Sequence, residues 1–132
     1  MSLRAFCTPA LIACALLVGA PLPATAQEAA VKEAPIEVLT DLAETLGQAH
    51  AIRSLCNGDE DQTWRNYMFT MLNMEGPSGS PRRSAMTSAF NRGFRTQQND
   101  TKSCTPDTSK LEAQIAARGR SLAETAANSY LH

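Results

Sequence analysis

From residue 35 onward, apolar residues of this 132-residue chain recur every three or four positions, and no stretch alternates as a strand does. Ile36, Leu39, Leu42, Ala43, Leu46, Ala49, Ile52 and Cys56 form the first such series, the spacing of an amphipathic helix. Pro35 suits its first turn, and Asn57-Gly58 supplies its stop, because glycine accepts the left-handed cap. A second helix is predicted over 62–75, with Trp64, Met68, Met71 and Leu72 as its apolar stripe. The acidic run Asp59-Glu60-Asp61 before it sits at the positive end of the helix dipole, and Asp59 with Gln62 makes a capping-box pattern. After the turn Gly76-Pro77-Ser78-Gly79, Ser80 and Pro81 are the N-cap and first residue of a third helix. Met86, Phe90, Gly93 and Phe94 mark its buried side, and the pattern fades near Asn99-Asp100. Thr105-Pro106 repeats the start signal, and a fourth helix carries Leu111, Ile115, Leu122, Ala126 and Tyr130 to the end. The expected fold is all-α: a small four-helix domain over 35–132. Gly47, Gly93 and Gly119 fall inside these helices, where each costs about 1 kcal/mol against alanine. Close helix–helix approach is the expected compensation.

The first 26 residues break the pattern. Arg4 is their only charge, an apolar run follows, and Ala24-Thr25-Ala26 forms an A-x-A cleavage site. This reads as a secretory signal peptide cleaved after Ala26, with a flexible lead-in over 27–34 and a periplasmic mature protein. A lipoprotein box ending at Cys14 is the weaker reading, because Cys14 lies in the middle of the apolar run. Beyond Ala26 no apolar run approaches the roughly 20 residues of a membrane-spanning helix. Loss of the leader leaves Cys56 and Cys104, 48 residues apart. With no C-x-x-C and no histidine array nearby, a structural disulfide is expected.

Charge and motifs exclude more than they suggest. The mature chain carries eleven basic residues against thirteen acidic, which gives no basic surface for nucleic acid. There is no nucleophile elbow, haem-attachment motif or phosphate loop. No metal and no cofactor are expected. His50 is the one internal histidine and reads as a partly buried or surface residue of a helix. Met68, Met71 and Met74 form M-x-x-M-x-x-M. Their thioethers suit Cu(I), but core packing around Trp64 is the preferred reading. Arg92 and Arg95, one turn apart with Phe94 beside them, are the candidate binding residues, because aromatic and arginine side chains make up interface hot spots. The alternative pairs both arginines with Asp59-Glu60-Asp61.

Four blocks then stand out in order: Leu46-Gly47-x-x-His50-x-Ile52-Arg53-x-Leu55-Cys56, Trp64-Arg65-x-x-Met68, Phe90-Asn91-Arg92-Gly93-Phe94-Arg95 and Cys104-Thr105-Pro106. They resemble a family of small exported alphaproteobacterial proteins known only as a domain of unknown function. The likeness runs over about 39–130. It implies an exported helical domain with two cysteines and no assigned site, so no functional residue carries over. The aromatic after Gly93 is often Tyr in that family, and Phe94 removes its hydroxyl. The functional expectation is a non-catalytic periplasmic envelope protein that binds another envelope protein or the cell wall. A holdase chaperone and a copper carrier are the alternatives, and a peptidoglycan enzyme is the least supported.

Overall fold

The computed structural model describes residues 33–131. The expected leader, residues 27–32 of the lead-in and His132 lie outside them. Four helices follow in order: α1 (Ile36–Asn57), α2 (Thr63–Met74), α3 (Pro81–Asp100) and α4 (Pro106–Leu131). Each agrees with the sequence periodicity to within a residue or so, and no strand occurs among the described residues. None of the described helices is long and apolar enough to cross a membrane.

The helix ends show which local signals act. Gly58 closes α1 at φ 89°, its N–H donating to the Ser54 carbonyl at 2.9 Å. Ser80 Oγ accepts the Arg83 N–H at 3.3 Å, the N-cap expected ahead of Pro81. Thr105 and Thr108 cap α4 reciprocally, each hydroxyl accepting the other's backbone N–H at 3.2–3.3 Å. The start of α2 differs from expectation. Gln62 reaches only the Asp59 backbone carbonyl, at 2.5 Å. Asp61 satisfies the helix instead, accepting the Thr63 N–H at 3.2 Å and the Thr63 hydroxyl at 2.7 Å. A short aspartate side chain two residues before an amide reaches it without strain, and that geometry displaces the Asp59–Gln62 box.

Helix α1 is the spine of the domain. The backbones of α2, α3 and α4 each approach it, α2 and α3 meet only briefly, and α4 approaches α1 alone. The main core gathers Leu39, Leu42 and Leu46 of α1 with Met68, Met71 and Leu72 of α2 and Met86, Ala89 and Phe90 of α3. A smaller cluster joins Ala49 and Ile52 to Ile115 of α4.

Two of the three helix-interior glycines make the tightest crossing. A Cβ at Gly47 would collide with the Phe90 carbonyl and the Phe94 amide of α3, and one at Gly93 with the Glu44 carbonyl of α1. Here backbone meets backbone, and the helix-propensity cost of glycine is offset by the approach it permits. Gly119 is different: a Cβ there would sit 3.5 Å from Thr45 and 3.9 Å from Leu42, an ordinary contact.

Covalent and polar ties complete the frame. The Cys56–Cys104 disulfide forms with Cα atoms 5.1 Å apart and joins the end of α1 to the segment before α4. Arg53 binds Asp61 at 3.0 Å and Glu112 of α4 at 2.9 Å. Arg82 binds Glu75 at 3.0 Å and Glu33 at 3.4 Å, and also donates to the Ala34 carbonyl. The described end of the lead-in is therefore held against α3, with Ala34 buried.

Candidate functional site

The sequence singles out Arg92, Phe94 and Arg95, and the structure divides them. Arg92 lies on the outer side of α3 and clasps Glu44 of α1, with Nε at 3.0 Å and Nη2 at 2.5 Å from the same carboxylate oxygen. Its partner is not in Asp59-Glu60-Asp61, because the glycine crossing brings Glu44 beside α3 while Asp61 is taken by Arg53. Arg95 is exposed, with no ion pair among the described residues. Phe94 turns the other way, half-buried, its ring 5.4 Å from that of His50. The methionines divide as well. Met68 and Met71 are core, whereas Met74 is 72% exposed. Steps of three residues drift about 60° around a helix each time, so the third methionine leaves the apolar face.

Phe94 belongs to a cleft of about 230 Å³ between α1, α2 and α3. His50, Arg65, Asn91 and Phe90 also line it. His50 is 5% exposed, and its Nδ1 is buried without a hydrogen-bond partner. A buried polar group left unpaired costs about 1–3 kcal/mol, so this one calls for a reason. Burial, and then the nearby Arg65, push the imidazole below its ordinary value of 6.5, against the weaker opposing pull of Asp61 and Asp59. Arg65 itself stacks over Phe69, its guanidinium carbon 5.6 Å from the ring centre.

On the other side of α2 lies a longer trough of about 620 Å³. Leu39, Leu42, Leu46 and Ala49 of α1 form its floor, and α2 and α4 form its walls. The α2 wall is large-chained, with Trp64, Tyr67, Met71 and Met74. The α4 wall is small-chained, with Ala116, Gly119, Ala123 and Ala127. The short α4 side chains leave the space between the two walls unfilled. Side chains bridge both ends. Trp64 Nε1 donates to Glu112 at 2.9 Å at one end, and the Tyr130 hydroxyl donates to Glu75 at the other. Burial, followed by the Glu75 carboxylate, raises the Tyr130 phenol above its ordinary value of 10.0. Arg120 lines the rim, exposed and without an ion pair among the described residues.

A family model described as protein of unknown function (DUF2385) matches residues 36–130. The chain belongs to this family. No curated protein and no solved structure matches it. The DUF2385 match spans all four helices, so both cavities belong to the family's own domain rather than to an appendage. Three of the four sequence blocks meet at the His50 cleft. The first supplies His50, the second Arg65 and Met68, and the third Phe90, Asn91 and Phe94. In this DUF2385 domain the trough was the feature hardest to see in sequence. Its signal was the run of small residues on one side of α4, which periodicity alone reads as an ordinary helix face.

Two groups are expected to make stability fall in acid. Burial holds His50 below 6.5, so protonation favours the unfolded chain. That contribution is complete above pH 6.5 and is lost as pH falls below it. The Asp61 carboxyl is held well below its ordinary value of 3.8, first by the Thr63 hydroxyl, then by Asn57, the Thr63 amide and Arg53. Its contribution is present above pH 3.8 and is lost as pH falls further. Denaturant midpoints should therefore step down below pH 6.5 and again below 3.8. His50→Phe should remove the first step and Asp61→Asn the second. A wild-type midpoint that stays flat from neutral pH through the histidine range contradicts the first assignment.

Proposed function

We propose that the protein is a non-catalytic, exported binding module of the cell envelope, working in the periplasm, and that it holds its ligand in the α2–α4 trough. The observation that carries this reading is an apolar trough bridged at both ends. Its volume of about 620 Å³ falls within the roughly 300–1,000 Å³ of small-molecule sites. Between the Glu112 and Tyr130 bridges α4 runs about 27 Å, at a rise of 1.5 Å per residue. A trough of that length with both ends bridged by side chains suits a chain lying within it better than a partner helix passing through. The one charged side chain on its lining that lacks a partner is cationic, Arg120. The occupant proposed is therefore a single-chain amphiphile with an anionic head, the chain on the α1 floor and the head at Arg120.

Export has its own test. Protein recovered from the periplasm should have the intact mass of a chain beginning at Gln27 and no thiol that alkylates without reduction. A retained leader or two free thiols contradicts it.

Binding is tested by native mass spectrometry and calorimetry with palmitate. One equivalent should bind. Ala123→Phe fills the trough from an exposed position and should abolish binding without unfolding the domain. Arg120→Ala should weaken palmitate about three- to fivefold, as loss of an exposed ion pair does, and leave neutral palmitoyl glycerol unaffected. Binding that survives Ala123→Phe places the ligand elsewhere and refutes the trough. Retention of a protein segment in place of palmitate refutes the amphiphile.

A further inference from the structure

The geometry points to the cleft around His50 as a second binding site, for a small monocarboxylate with an apolar body. Each of three helices contributes one nitrogen-bearing side chain: His50 from α1, Arg65 from α2 and Asn91 from α3. Neither Arg65 nor Asn91 takes part in a side-chain hydrogen bond or ion pair among the described residues, and the buried His50 Nδ1 has no partner. No acidic side chain lines the cleft. It therefore offers N–H donors and one positive charge with no carboxylate in its lining to meet them, Asp61 and Asp59 acting on His50 only weakly and from outside it. Phe69, Phe90 and Phe94 make the surrounding walls apolar.

His50 is the member that a surface arginine cannot replace. It is 5% exposed, and burial with Arg65 nearby favours its neutral form, so the ring carries one N–H and one lone pair. A carboxylate in the cleft would accept from that ring and from Asn91, with the Arg65 guanidinium as counter-charge. The phenyl rings would hold the rest of the molecule. Size restricts the ligand further. At about 230 Å³ the cleft is smaller than the roughly 300–1,000 Å³ of drug-sized sites. Benzoate or a short-chain acid suits it, and the long chain assigned to the trough does not. The site stands on residues that the trough does not use.

The test is ¹⁵N-imidazole NMR of the full chain titrated with benzoate, with benzyl alcohol as the neutral control. The chain has two histidines, so His132 serves as the internal reference. The His50 resonances should move saturably with benzoate, those of His132 should not, and benzyl alcohol should move neither. Arg65→Met, at an exposed position, should weaken benzoate by about tenfold through loss of a charge-assisted contact, with its thermal midpoint unchanged. Ala123→Phe should leave benzoate binding intact, which separates failure of this site from failure of the trough. No saturable shift at millimolar benzoate, an equal response to benzyl alcohol, or unchanged affinity in Arg65→Met would each overturn the assignment.

Discussion

Cys56→Ser is expected to lower the stability of the domain by about 4 kcal/mol, the chain-entropy value for a loop of this length. The bond closes 48 residues of chain, and the loss is a large part of the net stability of a small domain, about 5–15 kcal/mol. Its effect should also be uneven. The backbone of α4 approaches α1 alone, and the disulfide anchors the α4 start to the α1 end. Hydrogen exchange in the variant should therefore rise first along α4, while α1 and α3, locked at their glycine crossing, keep their protection. An unchanged denaturant midpoint on substitution or on reduction would show that the packed helices need no covalent tie. Uniform loss of protection would show that α4 is not the weakly held element.

Gly47→Ala and Gly93→Ala form the second case, each expected to cost about 2–3 kcal/mol. On an isolated helix the same change would gain about 1 kcal/mol. The sign reverses because each new methyl meets backbone: the Phe90 carbonyl in one case and the Glu44 carbonyl in the other. Backbone cannot rotate aside as a side chain does, so α1 and α3 must separate, and overpacking of this kind costs about 1–3 kcal/mol or more. One separation accommodates both methyls, so the double variant should cost less than the sum of the singles. Gly119→Ala is the control. Its neighbours are side chains at ordinary contact distance, and it should be near neutral or slightly stabilising. Urea titrations of the three variants decide the point, and a stabilised Gly47→Ala would contradict the crossing.

These two cases also mark what the sequence made legible. Helix periodicity, the Ser80 and Thr105 caps, the cysteine pair and the meaning of Gly47 and Gly93 all rest on local pattern or on elimination, and the structure agrees with each. Pairings across helices were not legible. Arg92 meets Glu44 because the glycine crossing brings that turn of α1 beside α3, and no spacing rule encodes a partner 48 residues away. The Asp59–Gln62 capping pattern lost to Asp61, whose carboxylate also answers Asn57 at 2.7 Å and Arg53 at 3.0 Å. Those contacts exist only once the α1–α2 corner has formed. Met74 followed the methionine spacing and left the apolar face. The two cavities depend on how far helices stand apart. The small residues on α4 leave the space opposite the large ones on α2 unfilled, yet either series alone reads as an ordinary helix face. His50 reads in the sequence as a partly buried or surface helix residue, and what gives it interest, a buried nitrogen with no partner, is a property of its surroundings.

The trough as the ligand site is tested most directly by Trp64, the single tryptophan of the chain, which lines it. Bromine quenches indole emission only on close approach. Titration with palmitate brominated midway along its chain should quench Trp64 saturably at one equivalent, and unbrominated palmitate at the same occupancy should not. Ala123→Phe should abolish the quenching. Saturable binding of the brominated acid with Trp64 emission unchanged would place the chain outside the trough and contradict the account.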